Sequence, residues 1–215
     1  MAERFTKPKR FTAKWWSYFW EYYKWYVIVI GCILLAVIYT IVQIANQPKY
    51  LFNVTYAGSS FFSEDTVSAL EDKLAEGMSD EPNDGVLLSQ LTFDNSETAD
   101  AQYQSAMIYK LQIEFTTDET MLFLFDKEKL SEVTTADSTK DIWLPVSEWA
   151  QSETPDQEGE YGVCLKDSKI INDLGIDGGN LYVAVRLNYE SSKDDPDAIQ
   201  RFEYSKAAAN KLIEK

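Results

Sequence analysis

Apolar and polar positions divide the chain into one long apolar run followed by a series of short, patterned segments. Residues 25–44 read WYVIVIGCILLAVIYTIVQI, without a charge between Lys24 and Lys49. Twenty helical residues rise about 30 Å, the thickness of a bilayer's hydrocarbon core, so a transmembrane helix is predicted over 25–47. The residues entering it are unusual: nine of the twelve in 15–26 are aromatic. Trp and Tyr favour the headgroup level because their rings are apolar while their N–H or O–H still needs water, which assigns Trp15, Trp16, Trp20, Tyr23, Trp25 and Tyr26 to the membrane interface. Lys14, Ser17, Glu21 and Lys24 recur at i, i+3, i+7 and i+10 and form one polar stripe, so the helix is expected to begin near Ala13, capped by Thr12, well before the bilayer core. Within the span, Cys32, Ala36 and Thr40 align small side chains on one face, with Gln43 near its end, where another helix could approach closely.

Beyond a short linker, Asn46 to Lys49, the pattern alternates between periods of two and of 3.6. Strands are predicted over 50–57, 86–93, 121–125, 161–165 and 181–189. Helices are predicted over 64–76, from the caps Asp94, Asn95 and Ser96 to about Phe115, briefly after Asp126, briefly before Gly175, and from Asp195-Pro196 to the terminus. Ser63 caps the first of these, Phe62 and Val67 have the spacing of a hydrophobic staple, and Gly77 ends it. Ala99, Tyr103, Met107 and Leu111 are the expected inward positions of the second helix, and Ile199, Phe202, Ala209 and Leu212 those of the last. Residues 121–125 are apolar throughout, as in a strand covered on both faces, and should be central. Residues 80–85 read as a turn and 151–160 as a surface loop. The implied fold class is α/β: an N-terminal transmembrane helix followed by a three-layer α/β domain with a mostly parallel or mixed sheet.

Charge separates the same regions. Residues 1–24 hold six Lys or Arg against two acids, whereas residues 50–215 hold 13 basic and 33 acidic side chains, a formal charge of −20. Basic residues flanking a span favour the cytoplasmic side, so the expected arrangement is a basic, aromatic cytoplasmic tail over 1–24, the span over 25–47, and an acidic extracytoplasmic domain over 50–215 close to the membrane surface. The run is too long for a signal-peptide core, and Gln43 stands where a cleavage site wants a small residue, so the segment is expected to remain as an anchor. The string Val29 to Cys32 has the form of a lipoprotein signal's end, but too few apolar residues precede Gly31 and too many follow Cys32. Cys32 in the membrane and Cys164 outside it cannot pair within one chain.

Candidate chemistry is sparse. The chain has no histidine, which removes the commonest general base and zinc ligand. It holds no Gly-x-Ser-x-Gly, Walker loop, Cys-x-x-Cys or Gly-x-Gly-x-x-Gly, and no loop with calcium-binding spacing, so neither catalysis, nor a cofactor, nor a metal is expected. The acidity of the domain disfavours nucleic acid. Open α/β sheets bind ligands at the carboxyl ends of their strands, which here supply Tyr56, Ser59 and Ser60, then Asp94 and Asn95, then Asp126. The same residue types also serve as caps and turn formers. Trp143 and Trp149 read either as an aromatic platform or as plugs over a sheet face.

The stretches EYYKWYVIVIGCILL, YLFNVTYAGSSFFSEDTVSALEDKL, TDETMLFLFDKE and YGVCLKDSKIINDLGI resemble single-pass membrane proteins of Gram-positive bacteria whose outer part looks like one lobe of an extracellular solute-binding protein. The resemblance implies a membrane anchor and an α/β lobe. The function expected is a non-enzymatic, membrane-anchored domain that binds or scaffolds another cell-envelope component. The alternative is a ligand-binding sensor or transporter accessory built on a single lobe. Expected partners are membrane lipid and either another membrane or envelope protein or a second copy through the transmembrane helix.

Overall fold

The structure, a computed structural model, describes residues 12–45, 49–79, 84–94, 100–151, 156–188 and 192–215. The chain forms two compact units, Met1–Gln47 and Pro48–Lys215. The basic residues Arg4, Lys7, Lys9 and Arg10, the linker residues 46–48, the turn residues 80–83, and Asn95, Ser96, Ala99 and Tyr189 lie outside the described residues.

The first unit is one helix, α1 (Ala13–Ala45), whose stretch Phe19–Ile44 is long and apolar enough to cross a membrane. The backbone N–H of Trp15 donates to both the carbonyl and the hydroxyl of Thr12, which closes the first turn as an N-cap does. Trp15, Phe19 and Tyr23, four residues apart, stack with ring centroids 5.3 and 5.4 Å apart. Trp16, Trp20, Trp25 and Tyr26 are exposed around them. The hydroxyl of Thr40 donates to the carbonyl of Ala36 at 2.9 Å, and a shallow groove of about 320 Å³ runs along Ala36, Val37, Thr40 and Ile41. Cys32 is exposed and free.

The second unit is built on a mixed six-stranded sheet. In chain order its elements are β1 (Lys49–Gly58), α2 (Glu64–Ala75), β2 (Asp84–Thr92), α3 (Ala101–Thr116), β3 (Thr120–Asp126), α4 (Lys127–Thr135), α5 (Val146–Trp149), β4 (Gln157–Glu158), β5 (Gly162–Cys164), α6 (Lys169–Asp173), β6 (Leu181–Val185) and α7 (Pro196–Ile213). The sheet order is β2-β1-β3-β6-β5-β4. β1 lies parallel to β2 and β3, whereas β6, β5 and β4 continue the sheet antiparallel. The path from β1 out to β2 and back across β1 to β3 reverses direction along the sheet, and crossovers of one hand then place α2 and α3 on opposite faces.

Strand parity sorts the core into two clusters. Phe52, Val54, Tyr56, Leu122, Leu124 and Val183 face α2 and α7, where Leu70, Leu74, Ala208 and Leu212 are buried; Phe62 and Val67, the predicted staple, pack against the same cluster. Ala57, Leu91, Phe93, Phe123, Phe125 and Ala184 face α3 and α4, where Leu111, Phe115, Leu130 and Val133 are buried. The domain therefore has three layers with the apolar β3 in the interior of the sheet. Trp143 and Trp149 are buried in different clusters, on opposite faces, and so cannot form one platform. Trp143 packs edge-on against Phe115, Phe123 and Phe125 at 5.4–5.5 Å and donates its indole N–H to the Val133 carbonyl.

Several boundaries differ from those predicted. α3 begins at Ala101, because Asp100 accepts from the N–H groups of Gln102 and Tyr103 and so sets the cap, not Asp94. The helix is turned so that Leu111 and Phe115 enter the core, Met107 is half-buried, and Tyr103 is exposed instead of inward. Ile199 is likewise exposed, since Ala198, Ser205 and Ala209 take the inward stripe of α7. The predicted strand 161–165 shortens to Gly162–Cys164, and the predicted loop 151–160 contains the two-residue edge strand β4. The predicted strand 181–189 ends at Val185, where Arg186 enters an isolated bridge with Trp143 and turns its side chain into the domain.

Candidate functional site

Tyr56, Ser59, Ser60 and Asp126 meet where β1 and β3 end side by side. Ala57 pairs with Phe125, so the next residue on each strand comes into contact across the sheet edge. The Tyr56 hydroxyl donates to Asp126 Oδ1 at 2.9 Å, and the Ser59 N–H and hydroxyl both donate to Asp126 Oδ2 at 2.6 Å. The Ser60 N–H donates back to the Tyr56 oxygen at 2.9 Å, so the phenol accepts from the loop and donates to the carboxylate. Gly58 is required by this closeness: a Cβ there would stand 2.4 Å from the Tyr56 oxygen and 2.5 Å from the Asp126 carboxyl carbon. Burial pushes the Tyr56 phenol well above its usual value; the Asp126 carboxylate adds to the rise and the Ser60 hydrogen bonds offset part of it.

Asp126 precedes α4 but gives that helix no side-chain cap, because both its oxygens are engaged by β1 and the loop after it. A cleft of about 520 Å³ opens beside it, lined by Ser59, Phe93, Lys127, Lys129, Glu132 and Asn180 among others. Its charges are matched locally. Lys127 pairs with Glu158 at 3.1 Å, and Lys129 pairs with Glu132 at 2.6 Å while lying 4.2 Å above the Phe93 ring. The Asn180 amide oxygen accepts from the Lys127 N–H. Of the predicted crevice residues, Ser59 and Asp126 line this cleft and Tyr56 lies buried beneath it. Asp94 is exposed and does not line the cleft; Asn95 is outside the described residues. Among the described residues no cluster of three or more His, Cys, Asp or Glu side chains could hold a metal ion. Chemically the arrangement is a latch that ties two strand ends together, with a polar, charge-matched cleft at its side.

A second candidate surface lies on α3 and was not anticipated from the sequence. Gln102, Ala106, Tyr109, Ile113 and Thr116 are all exposed and follow a 4-3-4-3 spacing, the seam by which one helix packs along another. At 3.6 residues per turn this seam points away from Leu111 and Phe115. Tyr109 is 67% exposed and Ile113 44%, with Ile108 and Tyr103 exposed on the two flanks. The helix carries only two charged side chains, Lys110 and Glu114, and Glu114 accepts from the Thr120 hydroxyl at 2.6 Å. Exposed Tyr109 and Ile113 stand in this row between the polar Gln102 and Thr116, which makes it a candidate contact surface. Its signal was present in the spacing of Ala106, Tyr109 and Ile113, but the competing inward row through Tyr103, Met107 and Leu111 obscured it.

The chain matches no protein-family model, and neither curated proteins nor solved structures give a match to it.

Proposed function

We propose that the protein is a non-enzymatic, membrane-anchored docking domain: α1 crosses the cytoplasmic membrane with the basic N-terminus inside, and the acidic α/β domain outside binds another component of the envelope. The observation that carries this reading is the outward row of α3, where Tyr109 and Ile113 stand exposed on a domain whose formal charge is −20 over residues 50–215. The strand-end crevice supports it from the other side, since the groups that would serve catalysis there are consumed by the latch. The aromatic collar and the Cys32, Ala36, Thr40 face of α1 give the anchor a lipid-level belt and a close-packing surface of its own.

The test is the reactivity of a thiol placed on the seam. Tyr109→Cys, in full-length protein with Cys32 and Cys164 replaced by Ala, should react slowly with maleimide in native membranes and quickly after dissociation in detergent. A thiol at Asp72, exposed on α2, should react quickly in both. Equal, rapid labelling at both positions in membranes would count against docking at α3.

A second reading, a ligand-binding sensor or transporter accessory, is favoured by the 520 Å³ cleft beside Asp126 and by the resemblance to a solute-binding lobe. A solute held there must raise the melting temperature of the protein, and Ser59→Trp, which fills the mouth, must abolish that rise.

A further inference from the structure

We infer that the cleft at the foot of β1 is a binding site for a zwitterion carrying a phosphate and a primary ammonium, the headgroup chemistry of an aminophospholipid. The cleft, of about 580 Å³, opens between the first residues of β1 and β2 and the first turns of α7, and Lys49, Tyr50, Asp84, Asp197, Arg201 and Tyr204 line it among others. It lies at the sheet edge opposite the latch of Tyr56 and Asp126, because β1 and β2 run parallel from Lys49 and Asp84 toward Gly58 and Thr92. Lys49 pairs in register with Asp84, yet the two side chains form no ion pair: the Asp84 carboxylate accepts from the Ser79 hydroxyl at 2.6 Å. Asp197 follows the start of α7, and Arg201, one turn on, does not pair with it. The Arg201 Nε donates to the Asp118 carbonyl at 3.2 Å, and its guanidinium stands 4.0 Å from the Asp195 carboxylate. Among the described residues Lys49 and Asp197 therefore have no ion-pair partner, although both are exposed on one cleft.

This pattern selects the ligand. The formal charges on the cleft, Lys49 and Arg201 against Asp84 and Asp197, cancel, so a net anion or a net cation meets as much repulsion as attraction. A zwitterion satisfies both open groups at once: its phosphate accepts from Lys49 and Arg201, and its ammonium donates to Asp197. The rings of Tyr50 and Tyr204 give the methylenes between them an apolar wall. The cleft beside Asp126 differs, since Lys127 and Lys129 there already hold Glu158 and Glu132. A lipid as the source of the headgroup rests on the anchor reading above. Three residues separate Ala45 of α1 from Lys49, and four Cα steps reach about 14 Å. The headgroup layer is about 5–8 Å deep, so Lys49 is tethered within reach of it. A tethered site meets its ligand at an effective concentration in the millimolar range or above, and weak affinity is enough to fill it.

Melting of the full-length protein in detergent micelles, titrated with O-phosphoethanolamine, tests the site. The soluble headgroup should raise the melting temperature, and inorganic phosphate or ethanolamine alone should need at least about tenfold more ligand for the same rise. Lys49→Ala and Asp197→Asn replace exposed side chains and should leave the ligand-free melting temperature unchanged, yet each should weaken the response at least about tenfold. Asp72→Asn, exposed on α2, should not. Inorganic phosphate that matches phosphoethanolamine, or a response unaltered in both cleft variants, overturns the inference. The lipid source is read separately: phosphatidylethanolamine added to phosphatidylcholine nanodiscs should stabilise the wild-type protein and not Asp197→Asn. A soluble headgroup that binds while the lipid has no effect overturns the lipid as its source. Absence of the protein from the membrane fraction, with phosphoethanolamine still bound, removes the anchor reading and leaves the site standing.

Discussion

The Tyr56 phenol donates to Asp126 across the ends of β1 and β3 at 2.9 Å, and the same carboxylate receives both donors of Ser59. One side chain thereby satisfies three donors, two of them from the loop that leads into α2. Asp126→Ala leaves the buried Tyr56 O–H without an acceptor, and an unsatisfied buried group costs about 1–3 kcal/mol. The expected loss is about 1–3 kcal/mol, read as a lowered midpoint in denaturant. Gly58→Ala should act on the same latch by forcing the phenol and the carboxylate apart. A ligand-capturing aspartate predicts the opposite sign, since removing an unpaired carboxylate from a binding site usually stabilises the empty protein.

Two phenols make stability fall at alkaline pH. Burial lifts Tyr182 to about 12, with Cys164, Glu158 and Asp156 adding to the rise, and Tyr56 is lifted as well. A group whose value is raised on folding keeps its full contribution below the unfolded value, about 10 for tyrosine, and loses it as the pH climbs toward the folded value. The melting temperature of the detergent-solubilised protein should hold to about pH 10 and decline from there toward 12. Tyr182→Phe should make the decline shallower. Tyrosinate absorbance provides the independent check: in the folded protein these two rings should ionise last and only as it unfolds, whereas complete titration near pH 10 with the fold intact would refute the assignment.

Arg186 is fully buried and reaches the carboxyl end of α3, donating to the carbonyls of Phe115 at 2.7 Å and Glu114 at 3.4 Å, with Asp118 3.7 Å away. A cation at a helix carboxyl end satisfies its orphan carbonyls and opposes its dipole. The Asp118 carboxylate also accepts from Ser192, and its backbone carbonyl accepts from Arg201 of α7, so one corner joins α3, β6 and α7. Arg186→Ala should leave the Phe115 and Glu114 carbonyls without this donor, at a cost of about 1–3 kcal/mol per unsatisfied buried group. It should also loosen the last turn of α3, seen as faster amide exchange at Ile113 to Thr116.

What was legible in the sequence follows from which signals are local. The long apolar helix, Thr12, Ser63, Asp195-Pro196 and the apolar run of β3 were readable because each depends on length, a cap or composition within a few residues. The face of α3 was legible in part: Met107 and Leu111 pack on the core as their row predicted, whereas Tyr103, a turn further from the strands, stays exposed. The burial of Arg186, inside the segment 181–189 predicted as strand, was not legible, because the carbonyls that receive its charge lie at the end of α3. The convergence of Tyr56, Ser59 and Asp126 was foreseen from strand ends. Asn180 on the same cleft, and Glu158 that pairs with Lys127, arrive from distant segments and leave no local trace.

The span itself can be tested by a single charge. Leu35 lies near the middle of the apolar stretch Phe19–Ile44, and a lysine at a helix centre costs about 2.5–3.5 kcal/mol of insertion. Leu35→Lys alone should leave most of the protein inserted, because the remaining Leu, Ile and Val residues outweigh one charge. Leu34→Lys combined with Leu35→Lys should exceed that surplus and release the protein into the fraction extracted by alkaline carbonate. Orientation follows from the same preparations. With Cys32 and Cys164 replaced, a thiol at Asp72 should react with an impermeant maleimide in intact cells, and one at Lys7 only after permeabilisation. The reverse pattern would place the acidic domain in the cytoplasm and remove the envelope partner from consideration. Because six basic side chains precede the span and Lys49 alone follows it closely, reversing the pattern should require moving several of those charges, for instance Lys7, Lys9, Arg10 and Lys14 to Glu together.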